Sequence, residues 1–116
     1  MVAIPLLIFT PGASVTYQAP TPLTLEEKIG DPKLYAIAQC ESNLRQFNED
    51  GTVLRGRQNP KDVGLFQVNE RYWLEESGRI GLDIYTEDGN IAMAKYIRDT
   101  RGYKPWFWSV QCHGVR

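Results

Sequence analysis

The spacing of hydrophobic positions changes several times along the chain. Leu34, Ile37, Ala38 and Glu41 recur three or four residues apart, with Tyr35 beside them, as one face of a helix requires. Asp31-Pro32 supplies a start signal, an acid at the N-cap and Pro at the first helical position, so a helix is predicted over 32–44. A shorter helix is predicted just before it, because Thr24 and Glu27 form a capping-box pair and Gly30 is a stop. Further on, Ile91, Ala94, Ile97 and Arg98 share a face, with Thr86 or Asp88 as cap and Gly102 as stop, which predicts a helix over 86–101. Residues 69–76 read as a short helix ended by Gly78, and Pro105 opens an aromatic turn of helix, Trp106-Phe107-Trp108.

Between these helices the pattern breaks. Residues 46–61 are polar and rich in turn formers, and Asp50-Gly51 followed by Thr52, Val53 and Leu54 signals a hairpin. Gly56 and Asn59-Pro60 add further breaks, and residues 63–68 are apolar around Gly64 and Gln67. The predicted fold is mainly α, of α+β type: a helical body with a small polar β-hairpin lobe. Such a lobe set against such a body leaves a cleft, and clefts are where ligands bind.

Charge divides the chain sharply. Residues 1–22 carry no charge and hold four of the seven prolines, whereas every charged side chain lies from Glu26 onward. Two readings of 1–22 stand: a Pro-rich arm, or the remnant of a signal peptide with its apolar run at Val2–Phe9 and small residues at Gly12-Ala13-Ser14. The catalytic unit is expected in 23–116. The whole chain, 116 residues, is the length of one domain. Thirteen basic against fourteen acidic residues give net −1, which speaks against a nucleic-acid partner. No apolar run reaches the ~18 residues of a bilayer span. Two cysteines and one histidine, His113, leave no basis for a metal site, and no cofactor is expected.

Glu41 is the residue with the clearest chemistry. It lies near the C-terminal end of a predicted helix, among Ile37, Ala38 and Cys40, where the helix dipole and apolar neighbours both disfavour a carboxylate. A carboxyl kept protonated near neutral pH is the general acid that glycosidic cleavage requires. Asp62, beyond the hairpin, is a second carboxylate able to face it across the cleft.

Four ordered segments sharpen this reading: Cys40-Glu41-Ser42-Asn43-Leu44, then Asp62-Val63-Gly64-Leu65-Phe66-Gln67-Val68-Asn69, then Tyr72-Trp73, then Asn90-Ile91-Ala92-Met93-Ala94. Together they resemble the lysozyme-like superfamily, in particular soluble lytic transglycosylase (SLT-type) domains such as those associated with secretion systems. The same stretch is similar to animal c-type lysozymes. The resemblance implies a lysozyme-like fold that cleaves the β-1,4 bond between N-acetylmuramic acid and N-acetylglucosamine in peptidoglycan. Glu41 would be general acid and then base. Ser42, Gly64, Leu65, Phe66, Gln67, Asn69 and Trp73 would line the sugar cleft, and Asn90 would be structural. The implied setting is extracytoplasmic: the periplasm, the cell wall or the medium. The glycan strand is the implied partner of a monomer, with a secretion-system or cell-wall assembly beside it.

The resemblance leaves the chemistry divided. In c-type lysozymes the acid matching Asp62 stabilises or traps the glycosyl cation. A transglycosylase needs Glu41 alone and leaves a 1,6-anhydro end. Because residues 46–61 offer Asp62 no obvious rigid support, Asp62 is expected to be secondary and the enzyme a lytic transglycosylase. A hydrolytic muramidase using both acids and a non-catalytic glycan-binding module are the alternatives. The Ala-Tyr-Asn motif that closes SLT-type clefts is missing, so the Tyr that contacts the catalytic Glu has only Tyr103 or Tyr96 as stand-ins. At least one of Trp106 and Trp108 is expected in the core. Cys40 and Cys112 either pair, which would contribute about 4 kcal/mol by the chain-entropy model, or stay as buried thiols. Arg55, Arg57 and Lys61 form a basic cluster near the cleft.

Overall fold

A computed structural model describes residues 6–8, 12 and 16–116. Much of the 1–22 stretch, including Ala13 and Ser14, lies outside the described residues, and with it the choice between arm and signal-peptide remnant. Within that stretch, β1 (Leu6–Ile8) pairs antiparallel with β2 (Thr16–Gln18).

The body begins at α1 (Leu25–Ile29), where Thr24 and Glu27 close the capping box and Gly30 ends the helix in the left-handed conformation. Helix α2 (Pro32–Ser42) starts at Asp31, whose side chain accepts from the Lys33 amide. The same carboxylate accepts from Arg98 at 3.1 Å and from the Tyr103 hydroxyl at 2.8 Å. Burial pushes the Asp31 carboxyl up, but the bonds from Tyr103, the Lys33 amide and Arg98 together hold it below its ordinary value. Two later helices follow the predicted pattern, α3 (Glu70–Arg79) and α4 (Glu87–Arg101), capped by Asn69 and Thr86. The aromatic segment is a 3-10 helix, Lys104–Ser109, continuing into α5 (Val110–His113).

The core lies between α2 and α4. Leu34, Ile37 and Ala38 meet Met93, Ala94 and Ile97, with Leu65, Phe66 and Trp106 closing the cluster. Trp106 is buried whereas Trp108 is 93% exposed, so the aromatic segment supplies one core residue and one surface ring. Cys40 and Cys112 form a disulfide with Cα atoms 5.9 Å apart, tying α5 to the end of α2.

The lobe is small and irregular. A bridge pairs Phe47 with Val53 around the Asp50-Gly51 turn, and a second pairs Arg55 with Val63. Strands β3 (Asp62–Val63) and β4 (Val68–Asn69) run antiparallel with Asp62 opposite Asn69. Two buried amides dock the lobe on the body. Gln46 accepts from the Leu65 amide at 2.8 Å and donates to the Ile84 carbonyl, and Asn90 accepts from the Phe66 amide at 2.8 Å. Asn90 also donates to the Val63 and Ile84 carbonyls, which bears out its structural role. Gly64 fits between them because a Cβ there would stand 2.5 Å from Gln46 Oε1, and its φ is +73°. The architecture is the mainly α, α+β arrangement the pattern predicts. Among the described residues no helix is long and apolar enough to cross a membrane.

Candidate active site

Glu41 is the next-to-last residue of α2, half-buried where the helix ends. The turn after it is tight: Asn43 and Leu44 both take positive φ, 55° and 62°. Ser42 is buried, its hydroxyl donating to the Ala38 carbonyl and accepting from the Arg45 amide, so it shapes this turn. The Ser109 hydroxyl donates to Glu41 Oε1 at 2.5 Å from 68 residues away, and lies 3.1 Å from the Trp106 carbonyl. Burial pushes the Glu41 carboxyl above its ordinary value; the Ser109 hydrogen bond opposes the rise, the charge of Asp62 adds to it, and His113 opposes it. The expected raised carboxyl is therefore present.

Asp62 differs from expectation. It is not on an unsupported loop but on β3, where its own amide donates to the Asn59 carbonyl and its carbonyl accepts from the Gly56 amide. Asn69 donates to Asp62 Oδ1 at 2.8 Å while its own carbonyl oxygen caps α3 at the Tyr72 amide. One amide side chain thus fixes both the acid and the following helix. A pairing of two residues per strand has no detectable period, which is why the sequence pattern missed it.

The two acids share one groove. On one side of them a hollow of about 830 Å³ is lined by Trp73, Tyr72, Trp106, Trp108, Arg101 and Lys104. On the other side a hollow of about 570 Å³ is lined by Ser42, Arg45, Leu54, Arg55 and Arg57. Glu41, Asn59, Asp62 and Gln67 line both, so the carboxylates stand at the waist where the two hollows adjoin. Asn69 and Trp73 line the first hollow. Leu65 and Phe66 do not reach it: their side chains are fully buried in the core. Their amides are taken by Gln46 and Asn90, and the Phe66 carbonyl by the Trp106 indole at 2.9 Å. Gly64, also buried, has its amide taken by the Leu54 carbonyl and its carbonyl by Gln67. Of the Gly64–Gln67 segment only Gln67, at φ 50°, lines the groove.

Neither tyrosine stand-in touches Glu41. The Tyr103 hydroxyl donates to Asp31 and the Tyr96 hydroxyl to Glu76, whose carboxyl is lowered to about 2 by Arg79 and by that tyrosine. Ser109 fills the position instead, and the disulfide three residues later is the local signal for it, since Cys112 must return to Cys40 beside Glu41. His113 is half-buried: its Nδ1 accepts from the Val115 amide, which leaves Nε2 to donate to the Trp106 carbonyl at 2.9 Å. Lys61 lines a separate hollow with Arg71 and with Glu70, the carboxylate that Arg55 holds.

No family model matches the chain. No solved structure matches it either. Lysozyme C-3 of Sus scrofa is similar, 30% identical over 89 residues, which is 66% of this chain and 58% of that protein. The chain therefore spans somewhat more than half the length of that protein, and the relationship is lysozyme-like.

Proposed function

We propose that residues 23–116 form a glycosidase that cleaves the β-1,4 bond between N-acetylmuramic acid and N-acetylglucosamine in peptidoglycan. The observation that carries this reading is the raised, half-buried Glu41 carboxyl at the waist between two adjoining hollows, whose lining it shares with the hydrogen-bonded Asp62. Glu41, protonated, gives its proton to the glycosidic oxygen as the bond breaks, and the departing sugar leaves on one side of the waist. Positive charge grows on the anomeric carbon, which the Asp62 carboxylate stabilises or captures. Glu41, now a carboxylate accepting from Ser109, takes a proton from the incoming water and the cycle closes. The exposed Trp108 ring and half-buried Trp73 supply apolar faces for sugar rings. The disulfide supports an extracytoplasmic setting, because such bonds persist in oxidising compartments.

We rank hydrolysis by both acids above lytic transglycosylation because Asp62 is strand-held and hydrogen-bonded, which removes the reason for treating it as incidental. Digestion of purified peptidoglycan followed by mass spectrometry tests the order. Reducing muramic ends support hydrolysis. Ends lighter by one water, the 1,6-anhydro form, return the assignment to the transglycosylase. No released fragments at all would leave only the binding module.

A further inference from the structure

The two halves of the groove differ in chemistry. The half with Trp73, Tyr72 and Trp108 offers aromatic surface, with Arg101 and Lys104 beside it. The other half has no aromatic residue in its lining and three arginines, Arg45, Arg55 and Arg57. Arg55 is already engaged: it donates to Glu70 at 2.5 Å and to the Pro60 carbonyl at 2.9 Å, which anchors the lobe to α3. Arg45 and Arg57 are exposed, and neither guanidinium enters an ion pair among the described residues. Arg45 follows directly on the two left-handed residues Asn43 and Leu44, and its amide is held at 3.1 Å by the Ser42 hydroxyl. A left-handed Leu is a costly conformation that persists only where its surroundings enforce it. Here it turns the chain so that the residue after it lines the groove.

We propose that this half of the groove is a subsite for carboxylate groups carried by the glycan strand, with Arg45 and Arg57 as the residues that bind them. The inference rests on the glycosidase reading above and specifies its substrate: strands bearing anions are preferred to neutral ones. Arginine suits the task because its planar fork meets a carboxylate through two parallel hydrogen bonds. Two chemical sources present that group next to the scissile bond. One is the set of free carboxylates on stem peptides, and the other is the lactyl carboxylate of muramic acid where the stem has been removed.

Binding to the non-cleaving Glu41→Gln protein tests this, with three probes: a neutral chitin hexamer, denuded strands with free lactyl carboxylates, and strands with intact stems. At low salt we expect at least one charged strand to bind about tenfold more tightly than chitin, the equivalent of about 1.4 kcal/mol. That preference should shrink as ionic strength rises. Preference for stem-bearing strands alone identifies the stem carboxylates, and preference for denuded strands alone the lactyl group; either supports the subsite. Adding Arg45→Gln and Arg57→Gln should bring the charged strand to the affinity of chitin, whereas Lys at both positions should keep part of the preference. Equal binding of all three probes, or a preference that survives the double Gln change, overturns the subsite while leaving the glycosidase reading intact. Binding of none of them overturns both.

Discussion

The walls that carry the two acids are built in opposite ways. Glu41 is held by long-range links: a disulfide spanning 72 residues and a serine 68 residues away. Asp62 is held by short-range ones, an amide seven residues on and a strand pairing within the same lobe. The environments differ accordingly. Glu41 is desolvated at the end of a helix and its carboxyl is raised, while Asp62 accepts from a polar neighbour. The distant contacts fix the helix-end wall, where burial raises the Glu41 carboxyl against the opposing Ser109 bond, and the local ones fix the lobe wall.

The contrast breaks most directly at Glu41. Glu41→Gln keeps the acceptor for Ser109 but cannot protonate the leaving oxygen, so cleavage of peptidoglycan should fall by about 10²–10⁴-fold with unchanged circular dichroism. Next, the double change Cys40→Ser and Cys112→Ser should cost about 4 kcal/mol in denaturant unfolding by the chain-entropy model. The lobe, which makes none of these links, should keep its own hydrogen bonds in that variant. Asp62→Asn should lower turnover by about 10²-fold if Asp62 stabilises the cation electrostatically. A loss below about threefold would mean that the lobe wall only binds sugar.

Ser109→Ala should have a smaller effect on rate, on the order of tenfold, but a diagnostic one on pH dependence. The hydroxyl lowers the Glu41 pKa, so its removal lets that pKa climb further. The limb of the pH–rate profile that falls with rising pH should therefore move to higher pH, and Ser109→Thr should move it back. The smallest effect concerns stability. The folded-state pKa of Glu41 lies above its unfolded value, so the folded protein holds this proton more tightly, and ionising the group in place weakens the fold. Glu41→Gln should accordingly raise the melting temperature at pH 7. The gain should fade as pH drops through the raised pKa towards about 4.3, the ordinary glutamate value. A lower melting temperature at pH 7 would contradict the assigned direction.

What could be read in advance follows the same division between near and far. Thr24 with Glu27, Asp31 with Pro32, and Thr86 before α4 are capping signals complete within a few residues, and the helices start where those signals fall. Glu41 was legible because it lies near the end of a helix among apolar neighbours and belongs to the first of four ordered segments that resemble lysozyme-like domains. The rest of its wall was not. The link from Ser109 to Glu41, 68 positions earlier, is signalled only through Cys112 and becomes readable only once that cysteine is known to pair with Cys40, while the hydroxyls of Tyr103 and Tyr96 go to Asp31 and Glu76. Asp62 failed for the opposite reason: its support is local but too short to leave a pattern, residing in one pairing and one bifunctional asparagine.

The buried amides of Gln46 and Asn90 have a kinetic consequence. The backbone amides of Leu65 and Phe66 are bonded to those side chains instead of to a neighbouring strand, Phe66 to Asn90 of α4 and Leu65 to Gln46, which itself holds the Ile84 carbonyl, so their exchange with solvent deuterium should report the parting of these contacts. Their exchange rates form a built-in clock for lobe lifting. In a Gln46→Ala protein the Leu65 amide should lose its protection, while the helical amides of α4 keep theirs. Compared with global unfolding in the same sample, the two rates would say whether the groove opens as a hinge of its own or only when the whole molecule comes apart.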